Sequence, residues 1–174
     1  MLYALILVAS ASRLLPHPPN FACIAAAGLF AGCYLRGWRA MAVPVAAMLL
    51  SDFVGHFAGL EGMGFYSLPL MGVVYGSMAI SVLIGKTLRE SLSVPKVITA
   101  SLATSTVFFV LTNAAVWTTG LYAFDFGGLV KCFVAAMPFF QYTVEGDLFF
   151  SGIMFGTYEL SRFRVRRLCT QVVL

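Results

Sequence analysis

Residues 97–124 read VITASLATSTVFFVLTNAAVWTTGLYAF, 28 positions without Asp, Glu, Lys or Arg. An α-helix rises 1.5 Å per residue, so about 20 such residues cross the roughly 30 Å hydrocarbon core of a bilayer. Leu14–Leu35 (22 residues) and Gly62–Gly85 (24 residues) are uncharged in the same way. Strands of a transmembrane barrel would read as alternating segments of roughly ten residues, so the chain is written in helices. Over all 174 residues, 60% are hydrophobic and 10% charged, against about 45–50% and 25% in soluble domains. Mean hydropathy is +0.92. A water-soluble globule is excluded on these grounds. The expected fold is all-α, a polytopic six-transmembrane-helix bundle in one integral membrane domain over 1–174. Six spans leave about 29 residues for each helix with its loop and no room for a soluble domain.

The spans fall at about 1–15, 20–35, 40–58, 66–85, 97–119 and 138–161. The first is short, and Ala9-Ser10-Ala11 has the small-x-small pattern of a signal-peptide cleavage site. No basic segment precedes the apolar run, which favours a retained helix. Pro16-His17-Pro18-Pro19 forces an extended connection, because prolines remove donors and push preceding residues out of the α region. Asn20 then stands where an N-cap belongs. The second span carries Gly28 and Gly32, with Ala27 and Ala31 beside them, a small-residue face that lets another helix approach closely, within the chain or from a partner subunit. Leu129–Met137 reads as a short helix, and Pro138 as the first-turn proline of the last span.

Arg36, Arg39, Lys86, Arg89, Lys96, Arg162, Arg164, Arg166 and Arg167 fall on one side of such a bundle; the other side keeps Arg13 and Lys131. The positive-inside rule places both termini in the cytoplasm and turns loops 13–20, 59–66 and 119–131 outward. Charge in this pattern marks orientation, and no nucleic-acid partner is implied. Trp117, Tyr66 and Tyr122 suit the interfacial aromatic belt. The four cysteines have no metal-ligand or disulfide spacing.

Ionisable groups inside a span are costly and usually face a cavity or a partner. Here they share a depth. Ser51, Asp52 and His56 on the third helix, Asn113 and Trp117 on the fifth, and Gln141, Glu145 and Asp147 on the sixth all lie in the outer half, and Arg13 and Asn20 flank the first outer loop. Asp52 and His56 share a helix face, as do Asn113 with Trp117 and Gln141 with Glu145. Glu145 and Asp147 stand about 200° apart, so only one can point into a shared cavity. Arg13 could instead neutralise Asp52 or an acid of the last helix, making the set a structural network; the one-sided clustering favours a ligand-lined cavity. His56 suits a metal, a proton or an axial corrinoid position as well as a hydrogen-bonded core histidine. There is no phosphate-binding P-loop, no HExxH, no GxSxG and no recognisable nucleophile, base and metal set. No enzymatic activity and no cofactor are expected.

Arg13-Leu14-Leu15-Pro16-His17-Pro18-Pro19-Asn20-Phe21, Leu29-Phe30-Ala31-Gly32, Ser51-Asp52, Asn113 with Trp117, Met137-Pro138-Phe139-Phe140 and Gly146-Asp147 resemble, over nearly the whole chain, a family of uncharacterised bacterial multi-pass membrane proteins. That family is distantly similar, in size, helix number and topology, to the substrate-binding S components of energy-coupling factor vitamin transporters. The resemblance implies a bacterial inner-membrane protein that captures a vitamin-sized or metal-containing solute from outside. It also implies a transmembrane coupling subunit, driven by ATPases, that meets small-residue faces such as Ala27/Ala31 and Gly28/Gly32. The outer-loop cysteine of a solitary cobalamin-transporting branch has no counterpart in loop 59–66. The expected substrate-binding residues are Arg13, Asn20, Asp52, His56, Asn113, Trp117 and Glu145. The competing expectations are an ion- or proton-coupled transporter or channel, and a non-catalytic accessory subunit of a larger membrane complex.

Overall fold

A computed structural model of the chain describes residues 1–60, 63 and 67–172, with side chains followed to Phe163. Tyr66, and with it the start of the fourth expected span, lies outside the described residues, as do the side chains of Arg164, Arg166, Arg167 and Cys169. The helices are Leu2–Leu14 (α1), Ile24–Tyr34 (α2), Trp38–Ala58 (α3), Leu68–Lys86 (α4), Val94–Trp117 (α5) and Phe126–Val172 (α6).

The short α2 organises the others. Of its eleven residues, nine are buried, because it packs against all five other helices. Gly28 and Gly32 supply the closest approach: a Cβ on Gly28 would overlap the Ser81 hydroxyl, and one on Gly32 the Val82 carbonyl, while Gly85 of α4 sits against the backbone of Leu29. The small-residue face of Gly28 and Gly32 is therefore packed against α4 inside the chain. Arg89 closes the other end of α2, its Nε donating to the Gly32 carbonyl (2.7 Å) and its Nη2 to that of Leu35 (2.5 Å). A cationic side chain at a helix C-terminus satisfies carbonyls with no partner in the helix and opposes the negative end of its dipole.

Small hydroxyl residues are buried within an apolar core, and large apolar side chains also cover the exterior. Ser51, Ser77, Ser81, Ser101, Ser105 and Ser151 are buried, whereas Tyr3, Phe57, Leu68 and Phe126 are among the exposed side chains. Several of the buried hydroxyls return to a carbonyl one turn back, as Ser51 does to Ala47 and Ser81 to Met78, which keeps them satisfied in apolar surroundings. Three helices, α3, α4 and α5, are long and apolar enough to cross a membrane. At 13 and 11 residues, α1 and α2 rise only about 20 and 17 Å.

α6 departs from the sequence expectation. Leu129–Met137 and the segment after Pro138 form one helix of 47 residues with the proline inside it. Tertiary packing overrides the break: Phe133 and Phe140, on either side of Pro138, both meet the ring of Phe109 at centroid distances of 5.5 and 4.6 Å. The Cys132 thiol donates to the Asn113 carbonyl across the same contact.

Candidate functional site

The connection between α1 and α2 forms one wall of a cavity of about 720 Å³. Its prolines prevent helix, and the chain turns instead through Phe21 N–H to the Pro18 carbonyl (3.0 Å) and Ala22 N–H to the Asn20 carbonyl (3.1 Å). Asn20 takes φ 65°, the left-handed region that asparagine tolerates better than most residues. Asn20 is thus a turn residue and not a cap. The N-cap of α2 is Cys23, whose N–H donates to the Ser12 hydroxyl of α1 (3.1 Å). Met48 of α3, Val74 and Met78 of α4, Phe108 of α5, and Thr143 with Asp147 of α6 contribute the facing walls.

The charged groups behave differently from one another. Arg13 Nη1 donates to Asp52 Oδ1 (2.7 Å) and to the Ser51 hydroxyl (2.5 Å), and the Tyr75 hydroxyl donates to Asp52 Oδ2 (2.5 Å). Both oxygens of this buried carboxylate are engaged, so Asp52 forms the internal ion pair that the sequence allowed. His17 lines the cavity, with Nδ1 2.7 Å from the Pro18 carbonyl and Nε2 3.2 Å from that of Arg13. Asp147 is only 2% exposed. The Ser105 hydroxyl donates to its Oδ2 (2.6 Å); among the described residues, Oδ1 has no hydrogen-bond partner and is not sealed from the cavity. Gly146 permits this placement, because a Cβ there would stand 3.2 Å from Phe21 Cα. α6 can therefore lie directly against the α1–α2 connection.

Of the residues expected from sequence, Arg13 and Asn20 line the cavity and Asp52 stands behind Arg13. Asn113 lines a smaller adjoining space of about 190 Å³ that shares Asn20, Val74, Phe108 and Thr143 with the larger one. Its amide donates to the Phe109 carbonyl (2.8 Å). Trp117 closes the α5–α6 turn: its indole N–H donates to the Ala123 carbonyl (3.0 Å) and its ring stacks on Phe124 at 4.3 Å. His56 is exposed next to the Phe57 ring, and Glu145 is exposed on α6; neither is among the described residues lining either cavity. The cavity carboxylate is Asp147. Thr143, Asp147 and Ser151 recur every four residues on α6, and Ser101 and Ser105 do so on α5, joined by Ser101–Ser151 (2.9 Å) and Ser105–Asp147. Helical spacing of hydroxyl residues is the signal that distinguishes Asp147 from Glu145.

Fold and site together define an all-helical protein with three membrane-length apolar helices and a mostly apolar cavity that carries a few polar groups. The chain belongs to a family of unknown function, DUF6580, whose model matches residues 1–168. No curated protein and no solved structure matches it.

Proposed function

We propose that the protein is a multi-pass component of the bacterial inner membrane that binds a small solute on the outer side for transport, in the manner of an S component. The observation that carries this reading is the cavity of about 720 Å³, within the range of about 300–1,000 Å³ typical of small-molecule sites. It lies at the α1–α2 connection, which the distribution of basic residues turns away from the cytoplasm. The apolar exterior and internal hydroxyls support a bundle in lipid, in which the short α1 and α2 and the polar α6 complete the membrane domain around α3–α5. Release toward the cytoplasm requires either rocking of the bundle or an energising subunit. A coupling subunit would use a surface other than Gly28/Gly32. The test is mass spectrometry of small molecules released from the purified full chain. The wild type is expected to carry a solute and Ala22→Trp, which fills the cavity, to lose it. Solute-free wild-type protein, or equal loading of both, would refute the proposal.

A further inference from the structure

Asp147 is the one carboxyl group among the described residues of the cavity wall, and no basic side chain among them pairs with it. Two ion pairs occur among the described residues, Arg13–Asp52 and Arg162–Glu159, and neither includes it. A buried carboxylate is costly unless it is paired and hydrogen-bonded, and Ser105 meets only Oδ2. The nearby basic side chains are turned elsewhere: Arg13 is paired with Asp52, and the His17 ring faces the Pro18 and Arg13 carbonyls and makes no ion pair with Asp147. With Arg13 paired to Asp52, Asp147 is the acid left among the described wall residues for a solute to meet, its Oδ1 without a protein donor.

The remaining wall specifies the body that carries the donor. Met48, Met63, Met78, Val74 and Phe108 present thioethers, an aliphatic group and a ring. Thioethers are polarisable and adapt to irregular apolar shapes, and an aromatic face attracts a cation. The volume of about 720 Å³ far exceeds that of a bare inorganic ion. An anionic solute would find no unpaired guanidinium or ammonium group among the described wall residues to receive it.

We infer that the solute is an organic cation, a protonated amine or amidine on an apolar body, whose N–H group donates to Asp147 Oδ1. The inference rests on the solute-binding reading above and adds the chemical class. Small molecules released from the purified full chain are identified by mass spectrometry for the wild type and for Asp147→Asn. In parallel, thermal shifts of the wild type are read with naphthylmethylammonium, its uncharged alcohol counterpart and naphthoate. The expected result is a retained solute with a protonatable nitrogen, at least tenfold lower occupancy in Asp147→Asn, and stabilisation by the ammonium probe alone. A retained solute without a basic nitrogen, unchanged occupancy in Asp147→Asn, or equal stabilisation by the alcohol would overturn the inference and leave solute binding standing. If the wild type retains nothing and no probe stabilises it, both proposals fail. Should Asp147→Asn not fold, the identity of the wild-type solute and the probe series decide the matter.

Discussion

Replacing Arg13 with Met isolates the energetics of the internal ion pair. The substitution keeps an unbranched apolar stem but removes the guanidinium that reaches Asp52 Oδ1 at 2.7 Å and the Ser51 hydroxyl at 2.5 Å. Asp52, 1% exposed, then retains only the Tyr75 hydroxyl at 2.5 Å. Two unit charges about 4 Å apart attract by about 4 kcal/mol at an effective dielectric of 20, and stranding one partner of a buried pair typically costs about 3–5 kcal/mol. Arg13→Met should therefore destabilise by about 3–4 kcal/mol. Asp52→Asn should cost less, about 1–3 kcal/mol, because the Arg13 side chain, 16% exposed, can turn toward the cavity. Arg13→Met with Asp52→Leu removes both charges, and replacing a buried pair by apolar groups is often close to neutral, so the double variant should recover to within about 1.5 kcal/mol of the wild type. Unfolding of the wild type, Arg13→Met, Asp52→Leu and the double variant in mixed detergent micelles closes the cycle, with Asp52→Asn measured beside it. Additive single effects, or an Arg13→Met cost below about 1 kcal/mol, would show that the pair contributes no coupling and would refute the reasoning.

Gly32→Ala should destabilise by about 2–3 kcal/mol, the upper part of the overpacking range, because the new methyl meets the Val82 backbone; Gly72→Ala, with nothing within 4 Å, should be neutral or gain up to about 1 kcal/mol of helix propensity. The same micelle unfolding assay separates them, and equal effects would mean that α2 and α4 are not in close contact. Ser105→Ala removes the hydrogen bond to Asp147 at 2.6 Å and should cost about 1–3 kcal/mol, the range for leaving a buried acceptor without its donor, while Thr106→Ala, on the exposed side of α5, should stay within about 0.5 kcal/mol. Arg89→Met frees the carbonyls of Gly32 and Leu35 and should cost about 1 kcal/mol, with faster amide exchange confined to the last turn of α2 and the adjoining turn into α3; protection unchanged there would remove Arg89 as the cap.

The outline of the bundle was legible because apolar window length is a one-dimensional property. The spans expected at 40–58, 66–85 and 97–119 lie within a few residues of α3, α4 and α5. Hydropathy cannot locate a helix whose surroundings are protein on every side. For α2, lipid and buried protein make the same demand on a side chain, so the uncharged window of Leu14–Leu35 concealed a helix of eleven residues preceded by a long irregular turn. That irregular backbone is what opens the cavity, since helix from Asn20 onward would have filled the space with its own turns. A similar ambiguity governed the carboxylates. Position along each helix was readable, but rotation about a helix axis depends on the neighbour it meets. Gly146 fits α6 against Phe21, and that single close approach turns Asp147 inward and leaves Glu145 exposed. The hydroxyl stripe Thr143–Asp147–Ser151 encodes the same rotation, because in apolar surroundings a row of partners on α5, Ser101 and Ser105, is needed to satisfy it. Polar spacing, and not charge alone, is therefore the more informative reading of a helix in apolar surroundings: charge shows that a side chain needs a partner, and hydroxyl periodicity shows on which side the partner lies.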